Sequence, residues 1–306
     1  MAAKRSRPTL IIHGGAGTSG PARERPLRRR GMLEAAERGA EVLREGGSAL
    51  DAVVAAVTSL EDNPMFNAGY GSTLNADGKV EMDASLMVFP CESPRLGIGA
   101  VAAVRRARNP IMLARVVMEL TPHVLMVGAG AEKIASKAGL KLCRPEQLIS
   151  PRAKQRWESR TPSARSHGTV GAVAVDKRGA IAAATSTGGI AGKLPGRVGD
   201  SAIAGAGSYA DARGAASATG HGEAIIKTML CLEAVRPLDR TTPARAARAA
   251  ITRLGKIDGA EGGVIVVDRS GRIGYACNAE SMEVALFDPV DGIRALRLNA
   301  RSEAIE

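Results

Sequence analysis

A threonine directly after a glycine and directly before a strand-like run heads the stretch Gly168-Thr169-Val170-Gly171-Ala172-Val173. A threonine hydroxyl is a weak nucleophile near neutral pH and needs a base. The chain has four histidines, His13, His123, His167 and His221, and none sits in a serine- or cysteine-protease motif. A threonine that is the first residue of a polypeptide carries its own base, an α-amine with an ordinary pKa of about 7.7–8.0. Hydroxyl and base are then oriented by one residue. Such a terminus requires a cut between Gly168 and Thr169, with the Thr169 hydroxyl attacking the Gly168 carbonyl and water hydrolysing the ester. Gly168, without a Cβ, tolerates the strained geometry this needs. The competing reading is that Thr169 simply starts a strand, as β-branched residues do.

Other chemistry-bearing patterns are weaker. Gly15, Gly17 and Gly20 match the G-x-G-x-x-G spacing of a dinucleotide loop, but Pro21 and Pro26 postpone the helix that the motif should open. These glycines read better as a tight loop where backbones approach closely. Glu81 and Asp83 share one face of an alternating run; ordinary hydrogen bonding in a wet sheet face suits them better than acid–base work. Cys91, Cys143, Cys231 and Cys277 are too widely spaced for a zinc site or a disulfide framework, and read as core residues in a reducing compartment. The net charge is +11, of which residues 1–30 supply +7 and residues 144–168 supply +4. With aromatics at 2%, that charge lacks the stacking partners of a nucleic-acid surface and reads as solvated loops. No secretory signal and no apolar run of membrane-spanning length is present, so a cytoplasmic protein is expected.

The elements that would position Thr169 follow from periodicity. Strands are expected over residues 9–13, 79–88, 96–104 and 124–127, the last buried. Helices are expected over 29–45, 49–61, 110–120 and 129–138. Residues 144–168 lack a hydrophobic period and carry Pro145, Pro151 and Pro162, which suggests a mobile linker ending at the candidate cut. Strands over 170–175 and 180–185 then flank the turn Asp176-Lys177-Arg178-Gly179. Further strands are expected over 215–219, 263–267, 273–277 and 284–287, with helices over 224–234 and 244–255. Paired helices on each half suit an α+β fold layered helix, sheet, sheet, helix.

Several segments, in order and at their spacing, resemble the plant-type L-asparaginases, also called isoaspartyl peptidases. They are His13-Gly14-Gly15-Ala16-Gly17, Asn63-Pro64-Met65-Phe66-Asn67-Ala68-Gly69, His167-Gly168-Thr169-Val170-Gly171, Thr185-Ser186-Thr187-Gly188-Gly189, Gly196-Arg197-Val198-Gly199-Asp200 and Thr219-Gly220-His221-Gly222-Glu223. The resemblance implies a four-layer αββα sandwich of the N-terminal-nucleophile hydrolase type. It implies that Thr169 is the autoprocessing residue and nucleophile, with Thr187 beside it and Asn67 orienting it. Arg197 is then the clamp for a substrate α-carboxylate, Asp200 the partner of the α-ammonium, and Gly222 a backbone contact near it. Thr219 and Gly220 would form the oxyanion hole. A structural sodium is implied on main-chain carbonyls of Leu60, Glu61, Asn63, Phe66, Ala68 and Tyr70. Two departures stand out: histidine at position 221, and Asn278-Ala279-Glu280 where relatives often carry Asn-Thr.

The expected activity is hydrolysis of L-asparagine to L-aspartate and ammonia, and of β-aspartyl dipeptides, through a Thr169 acyl-enzyme without a catalytic cofactor. The expected product of self-cleavage is an α chain, residues 1–168, and a β chain, residues 169–306, forming one domain. A homodimer of cleaved protomers is implied, with no nucleic-acid or membrane partner. A glycosylasparaginase-like amidase is the alternative among enzymes, and a basic nucleotide- or nucleic-acid-binding protein the alternative outside them.

Overall fold

Val170–Val175 (β5) and Ile181–Thr187 (β6) form the expected hairpin around Asp176, and every residue of both strands is buried. A computed structural model of the chain describes residues 6–18, 21–89, 97–159 and 168–300. Within these residues the hairpin sits in the middle of an eight-stranded sheet. Its neighbours are Thr9–Gly17 (β1), Met82–Phe89 (β2), Gly97–Val104 (β3), Leu125–Val127 (β4), Ser281–Asp288 (β11) and Gly292–Leu298 (β12), in the order β12-β11-β1-β5-β6-β2-β3-β4. Pairing is antiparallel except between β3 and β4. Ser208–Asp211 (β7), Gly214–Gly220 (β8), Gly262–Asp268 (β9) and Ile273–Cys277 (β10) make a second sheet in the order β10-β9-β8-β7.

Small apolar residues decide how these sheets are covered. Helices Arg25–Arg44 (α1), Ala49–Asp62 (α2) and Pro110–Leu120 (α3) lay alanine- and valine-rich faces on the large sheet, with Leu10, Ile12, Val170 and Ala172 beneath them. Ser48 caps α2 by accepting from the Asp51 N–H at 3.0 Å. Pro243–Leu254 (α8) and Leu230–Val235 (α7) cover the small sheet through Ala246, Ala247, Leu254 and Val264. A third cluster, including Ile11, Val173, Ala183, Ala215, Ile265 and Val267, lies where β1, β5 and β6 meet β8 and β9. The fold is α+β, with both sheets buried on both faces at their centres.

Several expectations change. The glycines after His13 do not form a loop: β1 runs on to Gly17 through a bulge between His13 and Ala16, with Gly15 at φ 107°. A dinucleotide loop needs strand, turn and helix, so that geometry is not formed; Gly20 lies outside the described residues. Helix α1 starts at Arg25 because Pro26 falls in its first turn, where no N–H is required. β4 is exposed rather than buried, because it is the sheet's edge, and an apolar run alone does not separate the two. The helix expected over 224–234 breaks at Met229, whose φ is 48°, dividing Gly222–Thr228 (α6) from α7. The first amides of α7 donate instead to the carbonyls of Ala206 and Gly205.

The expected linker over 144–168 is structured up to residue 159. Pro145–Leu148 is a 3-10 turn and Pro151–Glu158 (α5) a helix capped by the Ser150 hydroxyl. Leu148 and Ala153 are buried, and the Trp157 indole donates to Asn75 O at 3.1 Å. Pro151 occupies a first-turn position, where proline favours a helix, so counting prolines misled. Residues 160–167, including His167, lie outside the described residues, as do Cys91 and Leu96.

The two sheets approach closely at Gly171. A Cβ there would stand 2.5 Å from His13 Nε2 and overlap the Ser217 hydroxyl. Gly171→Ala is therefore expected to destabilise the protein by about 1–3 kcal/mol, the usual range for overpacking, read from the denaturant midpoint.

Candidate active site

The register of the β5–β6 hairpin brings the key hydroxyls together. Val170 faces Ser186, so the next pair outward is Thr169 and Thr187. The Thr169 hydroxyl donates to Thr187 Oγ1 at 3.3 Å, and the Thr187 hydroxyl donates to Gly168 O at 3.0 Å. Asn67 Nδ2 donates to the same carbonyl at 2.7 Å and to Gly189 O at 2.7 Å. Its own Oδ1 accepts from the Thr73 N–H at 2.8 Å, which fixes the amide in place. On the other side, Gly15 packs against the candidate cut, where a Cβ would stand 3.1 Å from Gly168 Cα.

Gly168, Thr169, Thr187, Arg197, Asp200, Gly220 and Gly222 line one pocket, together with Gly189 and Ile190. Seven expected residues thus converge from four separate sequence segments. Asn67 and Thr219 stand behind that lining. The Thr219 hydroxyl accepts from the Ala16 N–H at 3.1 Å, which leaves its own proton free to point elsewhere. Glycine at 222 is a steric need, because a Cβ would stand 2.7 Å from an Arg197 guanidinium nitrogen and 2.8 Å from Asp200 Oδ1.

The two charged residues of the pocket differ in how they are satisfied. Arg197 pairs with Glu223, Nε donating to Oε1 at 2.9 Å and a terminal nitrogen lying 2.8 Å from the same oxygen. Asp200 is fully buried, and its Oδ2 has no hydrogen-bond partner among the described residues. Burial pushes its carboxyl up to about 7, against the pull of Arg197. A buried carboxylate oxygen without a donor, at the wall of a pocket, is suited to a positively charged ligand group.

Behind Thr169 runs a buried polar chain. His13 Nε2 lies 2.9 Å from Ser217 Oγ, which lies 2.7 Å from Thr185 Oγ1, which donates to Gly207 O at 2.9 Å. Burial pushes the His13 imidazole down to about 3, so the ring is neutral. Its partner groups tie the two sheets together beneath Thr169.

Leu60 and Glu61 end α2, Asn63 caps it, and Phe66, Ala68 and Tyr70 follow in the loop, with Tyr70 in the 3-10 turn Gly69–Gly71. A Cβ at Gly69 or Gly71 would overlap Glu61 O or Phe66 O, and at Gly71 it would lie 3.0 Å from Asn63 O. Carbonyls thus crowd inward at the negative end of a helix, which fits a hard cation with oxygen ligands. Among the described residues no group of three or more His, Cys, Asp or Glu side chains could hold a metal ion.

The motifs that contain Glu223 and Gly189 gave neither a role, and Ile190 lay just outside them. Glu223 stands two residues beyond His221, whose Nε2 lies 3.6 Å from Glu223 Oε2. Glu81 and Asp83 were also misjudged: both are buried, and their strand face looks toward the second sheet and the pocket loop rather than into solvent.

The asparaginase family model matches residues 6–291. The chain is 46% identical over 273 residues to the isoaspartyl peptidase/L-asparaginase of Mus musculus, covering 86% of this chain and 82% of that protein. It is 46% identical over 289 residues to the protein of the same name from Danio rerio, covering 91% of each. To the isoaspartyl peptidase of Salmonella typhimurium it is 41% identical over 298 residues, covering 90% of this chain and 94% of that one. Among the described residues no helix is long and apolar enough to cross a membrane.

Asp200 makes the site costly to fold. Its carboxyl titrates near 7 in the folded chain against an ordinary 3.8, so the folded state binds that proton more tightly. Stability therefore falls as pH rises from about 4 to about 7, and the penalty is complete above that window. Asp200→Asn removes it. The variant is expected to melt at a higher temperature than the wild type at pH 8, with the gap closing toward pH 4, as thermal scans across that range would show.

Proposed function

Because this chain belongs to the asparaginase family, we propose that it is a self-processing amidohydrolase that converts L-asparagine to L-aspartate and ammonia and cleaves β-aspartyl dipeptides. One observation carries this reading. A threonine hydroxyl, a glycine carbonyl held by two donors, an arginine and an unmatched buried carboxylate meet in a single pocket.

The hydrogen-bond order supports self-cleavage. The Thr169 oxygen attacks the Gly168 carbonyl carbon while its proton passes toward Thr187 Oγ1, to which it already donates. Thr187 in turn donates to the oxygen on which charge develops, and Asn67 Nδ2 stabilises the same oxygen. Collapse breaks the C–N bond, leaves an ester, and gives the proton to the released amine. Water then frees the Gly168 carboxylate and the Thr169 hydroxyl. The product is an α chain of residues 1–168 and a β chain of residues 169–306.

In the cleaved enzyme the Thr169 α-amine takes the hydroxyl proton as the oxygen attacks the side-chain carbonyl of the substrate. Thr219 and the Gly220 N–H receive the oxyanion, Arg197 the α-carboxylate, and Asp200 the α-ammonium, with Gly222 leaving room beside both. The amine returns the proton to departing ammonia or amino acid, and water resolves the β-aspartyl ester.

The sheets and their helices, in this reading, form the four-layer αββα sandwich of N-terminal-nucleophile hydrolases. Main-chain carbonyls of Leu60, Glu61, Asn63, Phe66, Ala68 and Tyr70 would hold a structural sodium ion, which would steady the loop and take no part in the reaction. A homodimer of cleaved protomers and a cytoplasmic location belong to the same proposal.

Intact mass and denaturing electrophoresis test it. The wild type is expected to yield the two chains, release ammonia from asparagine and hydrolyse β-Asp-Leu. Thr169→Ala should remain one chain, with activity reduced at least about a thousandfold. A wild-type protein that stays uncut and inactive would overturn the proposal.

A further inference from the structure

No step above uses Glu81 or Asp83, yet both are buried and both reach the loop that carries the substrate clamps. Asp83 Oδ2 accepts from the Gly199 N–H at 3.0 Å, and Gly199 immediately precedes Asp200. Glu81 Oε2 accepts from the Gly196 N–H at 3.0 Å, and Gly196 immediately precedes Arg197. The backbone between Lys193 and Asp200 is thus tied to Asp83 on β2 and to Glu81, two residues before it, just ahead of each clamp. Ahead of the Gly196 tie the loop projects outward, with Leu194 75% exposed. The Lys193 ammonium closes the loop's near end by donating to Glu81 O at 2.8 Å.

The far side of each carboxylate is anchored as well. Asp83 Oδ1 accepts from the Ala103 N–H at 2.9 Å, and Arg105 pairs with Glu81 Oε1. Ala103 has φ 50°, a left-handed conformation that costs energy for a residue with a Cβ. It lies in an irregularity of the β2–β3 pairing next to Asp83, and this aims its amide at the carboxylate. Strand β6 completes the link, because Asp83 faces Thr187 across the ladder. Burial pushes the Asp83 carboxyl up and the Lys193 ammonium down, while each favours the charged form of the other.

We infer that Glu81 and Asp83 are an anionic clip, a pair of positioning residues that set where Arg197 and Asp200 stand and so determine how tightly the amino-acid end of the substrate is held. This rests on Arg197 and Asp200 acting as the substrate clamps. Asp83 governs the ammonium side through Gly199, and Glu81 the carboxylate side through Gly196. Neither touches substrate. The self-cleavage groups, Asn67 and Thr187, are held by other bonds and do not depend on the clip.

Amide hydrogen exchange and steady-state kinetics on Asp83→Asn and Glu81→Gln test this together. In Asp83→Asn, exchange at Gly199 should accelerate at least about tenfold while Gly196 stays protected, the scale expected for one lost charge-assisted hydrogen bond. The KM for asparagine should rise about tenfold, with kcat within about twofold and self-cleavage complete. Succinamate, which lacks the α-amino group, should lose no more than about twofold in kcat/KM, because it has no ammonium for Asp200 to meet. Glu81→Gln should accelerate exchange at Gly196 and raise KM for both substrates, which keeps the clip testable if Asp83→Asn does not fold. Unchanged exchange at Gly199 and Gly196, or a loss in kcat equal for asparagine and succinamate, would overturn the clip. A wild type that releases no ammonia would overturn the functional reading alone, and exchange at the two glycines would still decide whether the clip exists.

Discussion

The carbonyl oxygen of Gly168 is the point from which the arrangement of this protein can be reasoned outward. It accepts from Asn67 and from Thr187, donors that come from the loop after α2 and from the end of β6. Two donors on one carbonyl must be brought in from different elements without losing their own partners. Asn67 manages this because its oxygen is satisfied by Thr73, and Thr187 because its oxygen also receives the Gly189 N–H. The α1–α2 layer, the loop with its crowded carbonyls and the hairpin register all converge on that geometry. Arg28 of α1 links that loop to the sheet, donating to Met65 O and to Gly14 O on β1 and pairing with Glu283 on β11.

An interior with so few aromatics explains how the parts come so near one another. Around Gly171 short side chains let the sheets come close, and hydroxyls reach across the gap. Ser85 and Ser208 meet at 2.7 Å between β2 and β7, much as Ser217 meets His13 and Thr185. Buried hydroxyls of this kind must find partners, and each pairing admits one relative position of the sheets. Apolar contacts alone would be more forgiving in register and would hold Thr169 less firmly.

Legibility in the sequence followed how local each signal was. The hairpin of β5 and β6 was clear from alternation around a four-residue turn, and its register follows from the turn. The convergence of Arg197, Asp200 and Gly222 with Thr169 was legible through the resemblance, because those motifs carry glycines whose spacing reflects sterics. The helix α5 was obscured by prolines that in fact sit in permitted positions. The break at Met229 was not visible, since it depends on carbonyls of Gly205 and Ala206 that lie far back in the chain. Glu81 and Asp83 looked like solvent-facing acids because alternation says which residues share a face but not what lies opposite. That information belongs to the second sheet.

The pairing of Arg197 with Glu223 makes the pocket close to electrically balanced at rest. A simple monoanion approaching the guanidinium meets a charge already countered by a carboxylate, and gains little. A simple monocation finds Asp200 substantially protonated near neutral pH, and must drive off its proton before it is held. In the proposed reading, a zwitterion satisfies both at once, its positive end favouring the ionised Asp200 while its negative end shares Arg197 with Glu223. On that reading, preference for free amino-acid groups over lone acids or amines is written into the apportionment of charge, before any contact of shape is made.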